Sequence, residues 1–101
     1  MSEGGVGRKG REEERRREAE IKFAADATLG RLAKWLRILG YDTTLYGERA
    51  DSVFFLSAGR EGRVALTRVR KWAARQYQGR LLVVRADKLE DQLAEVFDAL
   101  D

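Results

Sequence analysis

From Ile21 onward the hydrophobic period of this chain keeps switching between two values, and that alternation restricts the fold more than any other feature. Residues 21–26 are few and largely apolar, which suits a strand covered on both faces. Leu29, Leu32, Ala33 and Leu36 then fall at helical spacing over 29–39, and Gly40 closes that helix. Residues 42–46 are β-prone through Thr43 and Thr44 and end at Gly47. Asp51 is a good N-cap for a second helix that carries Phe54, Phe55 and Ala58 to the Gly59–Gly62 break. A third strand over 63–67 leads into a third helix over 68–77, with Trp72, Ala73 and Tyr77 inward, and after Gly79 a fourth strand spans 81–84. The last helix has the clearest pattern: Asp87 caps it, Glu90 completes a capping box, and Leu89, Leu93, Val96, Phe97 and Leu100 form one stripe.

Four strands alternating with four helices predict right-handed crossovers and an α/β fold with a mostly parallel sheet covered on both faces, with 21–26 in its interior. Ligands of such sheets bind beyond the carboxyl ends of the strands. That rule selects Asp26 after strand one, Thr67 and Arg68 after strand three, Asp87 after strand four, and Asp51 at the start of the second helix. Asp42 enters strand two at the opposite edge and reads as structural. The chain has no histidine and no cysteine, so disulfides, thiolate zinc sites, thiol nucleophiles and imidazole acid–base chemistry are excluded. Carboxylates converging without histidine are what Mg²⁺ or Mn²⁺ requires, with Glu48 a weaker candidate ligand. Each acid also has a plainer reading as a helix cap, and for Asp87 the capping box favours it. Trp35 and Trp72 lie near apolar neighbours and are assigned to core or groove packing rather than base stacking.

Charge is distributed unevenly. Residues 21–86 carry thirteen basic against five acidic side chains, while 87–101 carry one against six. A positive folded surface favours a polyanion, of which nucleic acid is the commonest. Residues 1–20 balance six basic against six acidic groups and have no apolar residue between Val6 and Ala19, so they are expected to be a disordered arm outside the core. Glu12 to Arg16 and Glu13 to Arg17 could support a frayed helix there. No stretch approaches a membrane span and no signal peptide is visible, so a cytoplasmic protein with one domain over 21–101 is expected.

The segment from Lys22 to Thr43 closely resembles the opening of the mut-seven C-terminal RNase domain family, a PIN-like group with the pattern F-x-x-D-x-x-L-G-R-L-A-R-W-L-R-x-L-G-Y-D-T. The resemblance continues from Asp51 to Ala58, in register with D-x-x-L-L-x-x-A, and from Gly62 to Arg70, similar to G-R-x-L-L-T-R-D-R. Gln92 and Leu93 match a Q-L in the family's final helix. It implies a PIN-like three-layer α/β/α domain that hydrolyses RNA phosphodiester bonds with water activated by a divalent metal. Asp26 and Asp51 correspond to the first two metal-binding acids, and Asp87 would be a substitute third ligand. Arg31, Lys34 and Arg37, with Thr67, Arg68, Arg70 and Lys71, would contact RNA. The chain departs from the family where Val69 replaces the third acid and where Ser52 and Val53 follow Asp51; the Cys-containing metal ribbon of many relatives is missing. These departures imply weakened hydrolysis, which Val69→Asp is expected to restore. The alternative is a catalytically inactive module that binds RNA or a protein partner.

Overall fold

The computed structural model describes residues 21–74, 77 and 79–100; the arm expected over 1–20 lies outside them. Four strands, β1 Lys22–Ala25, β2 Asp42–Leu45, β3 Val64–Thr67 and β4 Leu81–Val83, form one all-parallel sheet in the order β2-β1-β3-β4. Among the described residues the three α-helices are α1 Gly30–Ile38, α2 Ser52–Arg60 and α3 Leu89–Leu100. The first strand is interior, as its largely apolar sequence predicts.

The pleat sorts the core into two layers. Phe23, Ala25 and Leu66 project to one face, where Leu32, Ala33 and Leu36 of α1 and Val96 of α3 bury them. Leu89, Leu93, Phe97 and Leu100, the rest of the α3 stripe, pack against that cluster. Ala24 and Ala65 project to the other face and leave room for Phe54, Phe55 and Ala58 of α2. Phe55 meets the rings of Trp72 and Tyr77 edge-on at 5.0 and 5.9 Å. The result is a three-layer α/β fold.

Both crossover helices that follow β1 and β2 stop by the same device. Gly40 and Gly62 have φ of +98° and +66°, a region that costs glycine little. Beyond them Tyr41 N–H donates to Leu36 O at 3.0 Å, and Arg63 N–H to Ala58 O at 2.9 Å, closing the last turn of each helix.

Two expected elements differ. Where a third α-helix is expected over 68–77, the described residues up to 74 carry a 3₁₀ helix, Arg70–Ala74, which buries no residue and leaves Ala73 exposed; residues 75 and 76 lie outside the described residues. Its tight turn, with Trp72 N–H on Val69 O at 3.2 Å, swings the indole so that Nε1 donates to Ala50 O at 3.1 Å. The capping box at α3 is also replaced. The first helical bond, Gln92 N–H to Lys88 O at 2.9 Å, starts past Asp87, whose carboxylate receives Arg68 instead.

The amino edge of the sheet is fastened by one buried cation. Arg63 Nη1 donates to Asp42 Oδ1 at 2.9 Å and to the carbonyls of Phe23 and Asp42 at 3.2 Å each, and Nε donates to Glu61 Oε1. Burial opposes its charge, but its hydrogen bonds to Glu61 and Asp42 and their negative charges outweigh that and raise its pKa. Asp42 is thus structural, as expected. Arg63→Met should lower the free energy of unfolding in urea by about 2 to 3 kcal/mol, because two carbonyls lose their donor. Asp42→Asn, at an exposed carboxylate, should cost under about 1 kcal/mol.

Candidate functional site

In the order β2-β1-β3-β4 the chain steps from β1 to one side and then returns to the other, so the switch point lies between the carboxyl ends of β1 and β3. Asp26 stands there, with no solvent exposure. Its backbone N–H continues the ladder to Leu66 O at 3.2 Å, and its carboxylate accepts from four protein donors. Oδ1 receives the N–H of Thr28 at 3.0 Å and the Thr28 hydroxyl. Oδ2 receives Ala50 N–H at 2.8 Å and the Thr67 hydroxyl at 2.5 Å. The capping reading of Asp26 describes half of this arrangement. The other half, made by Ala50 and Thr67 from distant parts of the chain, has no local sequence signal.

Asp51 lies one residue beyond Ala50 and caps α2, accepting Phe54 N–H on Oδ1 at 2.9 Å. Its Oδ2 accepts the Tyr46 hydroxyl at 2.9 Å, a partner the sequence did not indicate. The Phe54 N–H lowers the Asp51 pKa most; desolvation opposes it and the Tyr46 hydroxyl adds to the lowering. The same hydrogen bond raises the Tyr46 phenol, helped by desolvation and by the charges of Asp51 and Glu48. Asp87, far out in solvent, ion-pairs with Arg68, whose own N–H donates to the Thr28 hydroxyl at 3.0 Å. Glu95 of α3 accepts the N–H groups of Arg85 and Ala86, and Gln92 donates to Ala86 O at 2.9 Å, so α3 shapes the loop after β4.

The residues expected to meet RNA divide into two groups. Arg31, Lys34, Arg37, Arg70 and Lys71 are exposed, although Arg37 Nε also donates to Thr43 O at 2.8 Å and Lys71 lies over the Trp72 ring. Arg68 is half-buried and engaged by Asp87. Thr67 requires correction: it is fully buried, and its hydroxyl donates to Asp26 and accepts Val69 N–H, so it positions Asp26 and cannot touch RNA.

Asp26 does not fit a divalent metal in this arrangement. A ligand oxygen must turn a lone pair toward the ion, whereas both oxygens of Asp26 are occupied by protein donors; each oxygen of Asp51 accepts one bond, and Asp87 is exposed and paired with Arg68. Among the described residues no three acids gather into a metal-binding group. The third-acid position is no remedy, since Val69 is 8% exposed. Val69→Asp, expected from sequence to restore hydrolysis, should instead lower stability by on the order of 3 kcal/mol in urea melts, the cost of burying an uncompensated carboxylate.

The Tyr46–Asp51 bond makes stability pH-dependent at both ends. Asp51 is depressed on folding, so its contribution is full above the ordinary carboxylate range and is lost as pH falls through its lowered pKa. Tyr46 is raised, so its contribution is full below the ordinary phenol value of about 10 and is lost as pH climbs through the raised one. Tyr77, pushed up by burial, adds to the alkaline limb. In urea melts across pH, Asp51→Asn should remove part of the acid limb, and Tyr46→Phe should shrink the alkaline limb without abolishing it.

No curated protein and no solved structure matches the chain. The family model described as the Mut7-C RNAse domain matches residues 21–101, which takes in every element of the sheet and its helices. With that match spanning most of its length, the chain belongs to the Mut7-C RNAse domain family.

Proposed function

We propose that this RNase-type domain binds RNA along the basic surface beside the carboxyl edge of its sheet, and that its metal-dependent hydrolysis is weakened. The observation that carries the reading is the enclosure of Asp26, which has no exposure and accepts four hydrogen bonds from Thr28, Ala50 and Thr67. For Mg²⁺ or Mn²⁺ to bind there, those donors would have to be given up at a buried position. Mg²⁺ also demands near-ideal geometry and retains several waters, for which a fully buried carboxylate leaves little room.

RNA binding needs no such rearrangement. Arg31 and Lys34 on α1, and Arg70 and Lys71 after β3, are exposed cations on segments that leave or approach the carboxyl edge. Cations of this kind bind phosphates by releasing counterions, independently of base identity. Arg37 contributes charge while its Nε keeps α1 tied to β2.

The test uses labelled single-stranded RNA and the full chain. Binding should weaken steeply with salt, with a slope of roughly −0.7 per phosphate contacted, and combined Arg31→Glu, Lys34→Glu and Arg37→Glu should abolish it. Cleavage in Mg²⁺ or Mn²⁺ should stay near background. Robust Mg²⁺-dependent cleavage that disappears in a folded Asp26→Asn variant would overturn the weakened-hydrolase reading, and its loss in Asp87→Asn as well would mark Asp87 as a ligand. No RNA affinity at low ionic strength would favour the inactive, protein-binding alternative.

A further inference from the structure

A cavity of about 200 Å³ opens between α2 and the edge strand β2, on the opposite face of the sheet from α1. Ala24 and Ala58 give it a flat apolar floor. Tyr46 follows the carboxyl end of β2 and Arg63 precedes β3, so in a parallel sheet they stand at opposite ends of the cavity. At the Tyr46 end the rings of Tyr46 and Phe54 lie 5.5 Å apart, and the Tyr46 hydroxyl is already taken by Asp51. The Arg63 end is polar. The Arg63 side chain is only 10% exposed, and its Nε and Nη1 are engaged by Glu61, Asp42 and two carbonyls. Nη2 alone has no acceptor among the described residues. Because no buried side-chain nitrogen or oxygen among them lacks a partner, Nη2 reaches open space, and Arg63 lines this cavity. Nε and Nη2 share one edge of the planar guanidinium, which sets the unused donor beside Glu61, whose Oε2 receives no bond from the described residues.

We infer that the cavity binds a small neutral heterocycle with a ring carbonyl next to a ring N–H, the cis-amide of a uracil-type base taken up as a free molecule. The carbonyl accepts from Arg63 Nη2 and the N–H donates to Glu61 Oε2, so one ligand edge satisfies both unused groups. Charge selects neutrality: Asp42 and Glu61 hold a single guanidinium between them, so a phosphate or carboxylate meets two acids, and a cation reaches Glu61 only by approaching Arg63. The alanine floor and the aromatic end select a flat ring. Size selects a free molecule, since about 200 Å³ equals several waters of roughly 30 Å³ each yet falls short of the roughly 300 Å³ at which sites for larger ligands begin. The site is independent of the RNA reading, whose cations on α1 lie across the sheet.

The ¹⁵N-labelled full chain is titrated with uracil, with 1,3-dimethyluracil and with inorganic phosphate, and the amide signals of Ala58 and Glu61 are followed. Uracil should shift both saturably, with no change in affinity between about 50 and 200 mM salt, in contrast to a phosphate-driven complex. Dimethyluracil keeps both carbonyls but has no N–H, and should bind at least roughly 10-fold more weakly. Phosphate should leave both signals in place. Glu61→Gln retains an oxygen for Arg63 Nε but sets a donor where Oε2 stood, and should weaken uracil roughly 10-fold. Ser57→Leu, at an exposed position of the lining, should close the cavity and abolish the shifts. Melting curves check that both variants fold, and the comparison of the three ligands on the natural protein decides the proposal without them. No saturable shift with uracil, equal binding of uracil and dimethyluracil, or displacement of uracil by phosphate would each overturn it, and none of these outcomes bears on RNA binding at the basic surface.

Discussion

A buried carboxylate must be surrounded by donors or it destabilises the fold that buries it. The environment of Asp26 meets that demand with four hydrogen bonds from three separate places: Thr28 at the entry to α1, Ala50 at the entry to α2, and Thr67 at the end of β3. One side chain therefore fixes where two crossover helices begin relative to the central pair of strands. The knot extends outward, because Thr67 also accepts Val69 N–H and the Thr28 hydroxyl accepts Arg68 N–H. Removing the carboxylate would orphan donors in several elements at once, so the carboxyl edge behaves as a unit.

The amino edge is organised the same way with the opposite sign. Arg63 gathers Glu61, Asp42 and the carbonyl of Phe23, and thus clamps β1, β2 and the approach to β3 from below. β1, flanked by β2 and β3, is short, and its apolar side chains contribute packing rather than orientation. Its position is set by an anion at one end and a cation at the other. Between them Ala24 and Ala65 are small enough for Phe54 and Phe55 to lie close to the sheet.

What could be read in the sequence was what depends on neighbours in the chain. The four strands, the N-cap at Asp51, the glycines ending α1 and α2, and the α3 stripe all leave periodic or local signals. Their parallel arrangement follows from alternation alone. The pairings that define the site span longer intervals: Asp26 meets Thr67 41 residues away and Ala50 24 away. Nothing in local composition distinguishes a threonine that buries its hydroxyl on a carboxylate from one that greets solvent, which is why Thr67 was placed among the RNA contacts. Trp35 and Trp72 show the same limit. Both sit beside apolar neighbours in sequence, yet Trp72 turns onto Phe55 and Ala50 while Trp35 is left lining an open groove.

The treatment of the acids also bears on phosphate binding. In a metal-dependent nuclease a bare group of carboxylates repels the substrate until cations neutralise it. Here the acids are engaged by the protein itself: Asp26 is enclosed by hydrogen-bond donors, Asp51 is held by the start of α2 and by Tyr46, and Asp87 pairs with Arg68. An ion-paired carboxylate projects a weaker negative field than a lone one, while a shell of uncharged donors leaves the carboxylate's charge in place. On the proposed reading, the exposed cations of α1 and of the segment after β3 act on a phosphate without a metal. On that reading, loss of the third acid at Val69 and retention of the basic surface are one adjustment: a carboxylate absent from position 69 neither ligates a cation nor opposes RNA, so weaker hydrolysis and metal-free binding follow from the same position.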